Sequence, residues 1–149
     1  MSVVTADLLL TNARRDEVFA WLGDPTNHPS FLQNVFSQVE EESPDSFRIS
    51  LKAGFKKRTF LYRFDQKDDS HGGRRIRIKT TGKRAEGTIS YSLRTMKPSR
   101  NTLLTVTWDY SAGGQLGYLL NQLNIQQTYM EHIKKILGEI DRVFPRPTS

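Results

Sequence analysis

Between residues 47 and 110 the chain keeps a two-residue rhythm that leaves few folds open to it. Phe47, Ile49 and Leu51 alternate with Arg48, Ser50 and Lys52, and Phe60, Tyr62 and Phe64 alternate with Leu61 and Arg63. Ile76 and Ile78 alternate with Arg75, Arg77 and Lys79. Further on, Ile89, Tyr91 and Leu93 alternate with Ser90, Ser92 and Arg94, and Leu104, Val106, Trp108 and Tyr110 alternate with Thr105, Thr107 and Asp109. Successive side chains of a strand point to opposite faces, so each segment has one apolar and one mainly polar face. That is the pattern of an antiparallel sheet covered on one side only. The connecting stretches "SPDS", "DQKDDSHGG" and "MKPSRN" are rich in turn-forming residues. Val35 to Glu42 supplies one more strand and Val3 to Leu10 a first one, so seven strands are expected.

A sheet with one apolar face needs a cover, and the sequence on either side of the rhythm provides it. After Gly113-Gly114, the segment from Gln115 to Phe144 carries Leu116, Leu119, Leu120, Leu123, Met130, Ile133, Leu137, Ile140 and Phe144 at helical spacing, and Pro145 ends it. About thirty residues make a helix of roughly 45 Å. Near the other end, "DEVFAWLGDPTNHPSFL" holds Val18, Phe19, Trp21 and Leu22 on one helix, with Asn12 placed to cap it and Asp16 and Glu17 at its positive end. Gly23 stops this helix, and Asp24-Pro25 has the cap-plus-proline form of a second, short one. The fold class is α+β. Residues 1–144 read as a single domain and 145–149 as a loose tail.

Several chemistries lose their support. Cysteine is absent from the 149 residues, which removes disulfides, thiolate metal ligands and a cysteine nucleophile. His28, His71 and His132 fall in no metal-binding spacing and read as lone surface histidines, so no metal and no cofactor is expected. G-x-S-x-G, Walker A and G-x-G-x-x-G are missing, and no catalytic residue is assigned. The N-terminus lacks a basic signal-peptide region, and no apolar run approaches the ~18 residues of a membrane span. A cytoplasmic location is expected.

The net charge of +6 is unevenly placed. Lys52 to Arg100 holds 15 Lys or Arg against Asp65, Asp68, Asp69 and Glu86, so this stretch is +11 and the remainder −5. Arg75, Arg77 and Lys79 share one outward strand face, which serves either as a solvated surface or as a contact for an anionic membrane or nucleic acid. The outward Thr88, Ser90, Ser92, Thr105 and Thr107 offer no aromatic platform for single-strand stacking.

The order of first strand, two short helices, six-stranded meander and long C-terminal helix resembles the helix-grip fold of the START and polyketide-cyclase superfamily, which includes the major birch pollen allergen. "RRDEVFAWLGDPTNHPSFL" is similar to the family's first-helix pattern, and "EGTISYSL" beside "NTLLTVTWDY" to its late hairpin. Ile89 and Phe31 stand where many relatives carry tryptophan. The resemblance implies that the two short helices form a V holding the long helix, and that a cavity between sheet and helix takes an apolar small molecule or lipid. Its lining would be Phe31, Phe60, Tyr62, Phe64, Ile78, Ile89, Tyr91 and Trp108 from the V and the sheet, with Leu120, Leu123, Asn124 and Gln127 from the long helix. The aromatic lining favours a flat or ringed ligand, and no inward position assigned on the sheet is charged. Gln126 and Gln127 interrupt the helical stripe; either an amide faces the cavity, where Tyr62 and Tyr91 hydroxyls, water or a ligand would satisfy it, or it sits on a helix edge in solvent. The alternative implied function is a polyketide cyclase-like enzyme, with Tyr62, Tyr91 and Gln127 orienting an aromatic substrate and His28 assisting if it reaches the entrance.

Overall fold

The computed structural model describes residues 2–11, 13–53, 56–68, 73–82, 85–97, 101–111 and 115–144, except for the side chains of 53, 56, 85 and 115–124. Seven strands form one antiparallel sheet in the order β1-β7-β6-β5-β4-β3-β2. They are β1 (Ser2–Leu10), β2 (Gln38–Ser43), β3 (Ser46–Ala53), β4 (Lys56–Asp68), β5 (Arg74–Gly82), β6 (Ala85–Met96) and β7 (Asn101–Tyr110). The two-residue alternation is borne out along β7, where Thr102, Leu104, Val106, Trp108 and Tyr110 are buried and the residues between them partly exposed. β2 starts later than expected. Val35 and Phe36 instead continue the preceding helical turn, both donating to the Leu32 carbonyl at 2.9 Å, and are buried.

The helices lie on the apolar face. α1 (Arg15–Leu22), a 3-10 turn (Pro25–Asn27) and α2 (His28–Leu32) form the V, and α3 (Gln115–Val143) packs chiefly on β1, with further contacts to β7 and β3. α1 begins after an extended Arg14 that makes no side-chain cap, with Asp16 and Glu17 in its first turn. The expected Asn12 cap lies outside the described residues, as do His71 and the 145–149 tail. Asp24 caps the restart as expected, its Oδ1 accepting from Thr26 N at 3.0 Å and Thr26 Oγ1 at 2.8 Å. Trp21 joins the three helices, 5.8 Å from the Phe31 ring of α2 and 5.7 Å, edge-on, from Phe144 just beyond α3. The Thr102 hydroxyl ties the α1 approach to β7 by donating to Ala13 O at 2.8 Å.

Two features change what faces inward. A bulge shifts the β4–β5 register between Phe64 and Gln66, so Lys67 falls opposite the buried Ile76. Lys67 Nζ then donates to Gly23 O at 3.0 Å, a cation at the negative end of α1. A Cβ at Gly23 would sit 2.9 Å from Phe19 O and 3.1 Å from Lys67 Cδ, so this close approach requires glycine. The second feature is the rotation of α3. Ile125, Tyr129, Ile133, Ile136 and Ile140 are buried, whereas Gln126 and Gln127 are exposed. An inward amide at these positions is therefore corrected to one in solvent, and Gln127 leaves the inner lining. The solvated carbonyl and amide need no buried partner.

Candidate functional site

Two aromatic clusters divide the inner face. The first is built by α2, which follows directly on the 3-10 turn begun by Asp24 and Pro25 and places its first residue, His28, against the sheet. His28 is fully buried, which corrects the surface position expected for it. Its Nε2 lies 2.7 Å from Leu22 O. A carbonyl only accepts, so Nε2 carries the proton and Nδ1 is an acceptor. Tyr62 Oη donates to Nδ1 at 2.7 Å and accepts from Tyr91 Oη at 2.8 Å. The three side chains thus form one hydrogen-bond chain with a single direction, walled by Phe31 and Phe64 at ring separations of 4.8 and 4.7 Å. Burial lowers the His28 pKa to about 4, against upward pulls from the Leu22 carbonyl and Asp24. Burial likewise raises both phenols. All three groups are neutral, and each makes a hydrogen bond.

The second cluster lies where β6 and β7 pair Ile89 with Trp108 and Gly87 with Tyr110. Tyr129 of α3 stacks on Trp108 with centroids 4.4 Å apart and planes at 22°, and meets Tyr110 edge-on at 4.2 Å. Phe60 and Phe36 stand edge-on to Trp108 at 5.8 and 6.3 Å. The Trp108 indole N–H is satisfied by Thr80 Oγ1 at 3.3 Å. The Tyr129 hydroxyl differs. It is sealed from solvent, and among the described residues it meets no partner at hydrogen-bond geometry. Burial raises its pKa, while the Arg58 guanidinium pulls the value back by its charge and by a strained approach to the hydroxyl that falls short of full hydrogen-bond geometry. Arg58 is in phase with Phe60 on β4 and opposite the buried Leu51 on β3, so the inner face carries a half-buried cation at a position not assigned inward from the sequence. His132 flanks this cluster. It too is buried, stacked on Phe36 at 5.2 Å, with Nδ1 donating to Thr128 O at 2.6 Å.

Three solved structures show what this arrangement is like. A START superfamily protein from Mycobacterium smegmatis is 12% identical, with a TM-score of 0.60, over 95% of this chain and 98% of that one. An aromatase/cyclase from a Streptomyces species is 16% identical at a TM-score of 0.62 over 95% of each chain. Norcoclaurine synthase from Thalictrum flavum, solved in complex with dopamine and hydroxybenzaldehyde, is 11% identical at 0.63 over 98% of this chain and 89% of that one. The fold is the helix grip that these three structures share. No family model and no curated protein matches the sequence. At these identities the likeness establishes the fold and leaves function to the residues.

In this helix-grip sheet the expected lining residues separate. Phe31, Tyr62, Phe64 and Tyr91 gather around His28, while Phe60, Ile89 and Trp108 gather around Tyr129. Ile78 bridges them, paired with Phe64 on one side and Ile89 on the other. The side chains of Leu120, Leu123 and Asn124 lie outside the described residues. Arg58 and Tyr129 were not among the expected site residues, and His28 was expected only as an aid to the alternative, enzymatic reading. Tyr129 had a signal in the sequence, since it shares a second helical stripe with Ile125, Ile133, Ile136 and Ile140. Among the described residues no group of His, Asp or Glu is placed to hold a metal ion, and no described helix is long and apolar enough to cross a membrane.

Proposed function

We propose that the chain binds a small, apolar, ring-bearing molecule between the sheet and α3, at the Trp108–Tyr129 end. The observation that carries this reading is the Tyr129 hydroxyl, buried among aromatic rings without a hydrogen-bond partner. Such a group costs about 1–3 kcal/mol until something satisfies it. A ligand whose ring takes the face of the buried Trp108 that Tyr129 now covers, and whose polar atom meets Tyr129 Oη, would do so, with Arg58 favouring an oxygen acceptor at that end. Because Tyr129 lies on Trp108 in the structure, occupancy requires the Tyr129 side chain or its turn of α3 to move outward. The helix-grip neighbours support the reading, since one is named for aromatase/cyclase activity and another holds two ring compounds.

The test is native mass spectrometry and thermal shift against fatty acids, sterols, quinones and aromatic polyketides. Trp108 emission, read in a Trp21→Phe background, reports on the site. A ligand that raises the melting temperature should change Trp108 emission and bind more weakly to Tyr129→Phe and Arg58→Gln. A panel with no stabilising member and no change in Trp108 emission would end the proposal.

The His28–Tyr62–Tyr91 chain supports a second reading, an enzyme acting on an aromatic substrate, in which His28 draws on the Tyr91 hydroxyl through Tyr62. Tyr62→Phe would then remove turnover while leaving ligand uptake intact.

A further inference from the structure

All the described helices lie on one side of the sheet, so none of them covers its other face. Arg75, Arg77 and Lys79 of β5 and Arg94 of β6 are exposed there, and Lys97 follows at the end of β6. No carboxylate of the described residues lies within ion-pair distance of any of the five. Asp68 stands opposite Arg75 in the ladder, Glu86 and Asp109 lie on the same face beside Lys79, and Asp7, further off on β1, accepts from Thr105 Oγ1 at 2.6 Å. The face even sets Arg63 directly opposite Lys79, an arrangement that destabilises a sheet unless an anion intervenes. Beside these cations the same face presents apolar side chains. Leu9 of β1 and Leu103 of β7 are paired, Leu103 is paired in turn with Arg94, and Met96 follows two residues on. Leu9 is 41% and Met96 39% exposed.

We propose that this face docks on an anionic phospholipid bilayer, with Leu9, Leu103 and Met96 entering the headgroup layer and the neighbouring cations on lipid phosphates. Apolar area and unpaired cations on one surface are what interfacial binding uses. A nucleic-acid backbone would engage the same cations but has no use for exposed leucine and methionine, and no aromatic among the described outward residues offers a stacking platform. The surface is separate from the ligand site, which lies on the opposite side of the sheet.

The experiment is co-sedimentation of the full chain with phosphatidylcholine vesicles, with and without phosphatidylserine, at low and physiological salt. Wild type should bind only the phosphatidylserine vesicles and release as salt rises. Reversing Arg75, Arg77 and Arg94 to glutamate should weaken binding by roughly a hundredfold or more, and Leu9→Ser with Met96→Ser should weaken it at both salt concentrations. Melting temperature and ligand uptake of each variant establish that the fold and the inner site are intact. Should the triple variant fail to fold, Arg94→Gln and the wild-type salt series carry the same reading. Absent or equal binding to the two vesicle types overturns the proposal. So does tighter binding to duplex DNA that Leu9→Ser leaves unchanged.

Discussion

The His28 cluster and the Tyr129 cluster are made of the same materials, aromatic rings and phenolic hydroxyls on one apolar sheet face, yet they treat their polar atoms in opposite ways. Around His28, both ring nitrogens and both phenols are hydrogen-bonded, and the chain ends on a backbone carbonyl that fixes its direction. Around Trp108, the indole is satisfied but the Tyr129 hydroxyl is left without a partner beside a cation. A closed network holds its elements in one arrangement, here the V of short helices against β4 and β6. An open one keeps a polar valence for something else. The difference teaches that equally buried clusters can differ in how much hydrogen-bonding capacity they leave unspent, and the proposed ligand draws on what the Tyr129 cluster leaves.

The largest break in this comparison should come from His28→Ala. It opens a cavity and strands Tyr62 Oη and Leu22 O, and should cost about 3–5 kcal/mol in urea unfolding. Acid should act on the same group. An unfolded histidine takes its proton near pH 6.5, while folded His28 does so only near 4. Between these values the unfolded chain binds the extra proton, so stability is full above pH 6.5, falls as pH drops toward 4, and levels off below. The loss is about 3 kcal/mol, and this part of the dependence should vanish in His28→Ala. His132, its pKa also lowered by burial, adds in the same direction. Tyr62→Phe should cost about 1–3 kcal/mol, since it removes both bonds of the central hydroxyl. The smallest effect sharpens the contrast by changing sign. Tyr129→Phe deletes an unpartnered group and should leave the free protein equally stable or about 1 kcal/mol more stable, measured as a shift in the urea midpoint. A marked destabilisation by Tyr129→Phe would mean that its hydroxyl is partnered after all and that the two clusters do not differ.

The strands were legible because a half-covered sheet forces an alternation that side chains cannot disguise, and the V because Gly23-Asp24-Pro25 stops one helix and caps the next. The rotation of α3 was not. Leucines in its first half set one phase, while Ile125, Tyr129 and Ile136 follow another, and a stripe read from spacing alone takes the phase of whichever residues are counted first. Arg58 was missed because the alternation of β4 was followed only from Phe60 onward, although Arg58 keeps the same phase. The bulge that turns Lys67 inward leaves no mark in the sequence, since one extra residue in a ladder is visible only from its partner strand. His28 looked like a lone polar residue. Its burial depends on Tyr62 and Leu22, 34 and 6 residues away, supplying a partner for each nitrogen.

The pairing of β1 with β7 also sets the order in which the molecule is made. Strands β2 to β7 each pair with the next along the chain, so they form from hairpins as the polypeptide emerges. β1 is synthesised first but bonds last: Thr5 meets Thr107 across 102 residues, and Ala13 meets Thr102 across 89. Closing so long a loop is slow. Until β7 and α3 leave the ribosome, the first strand and the V wait unpaired, and the apolar face of the growing meander lacks its cover. That interval, rather than the finished protein, is where this chain is most exposed to aggregation.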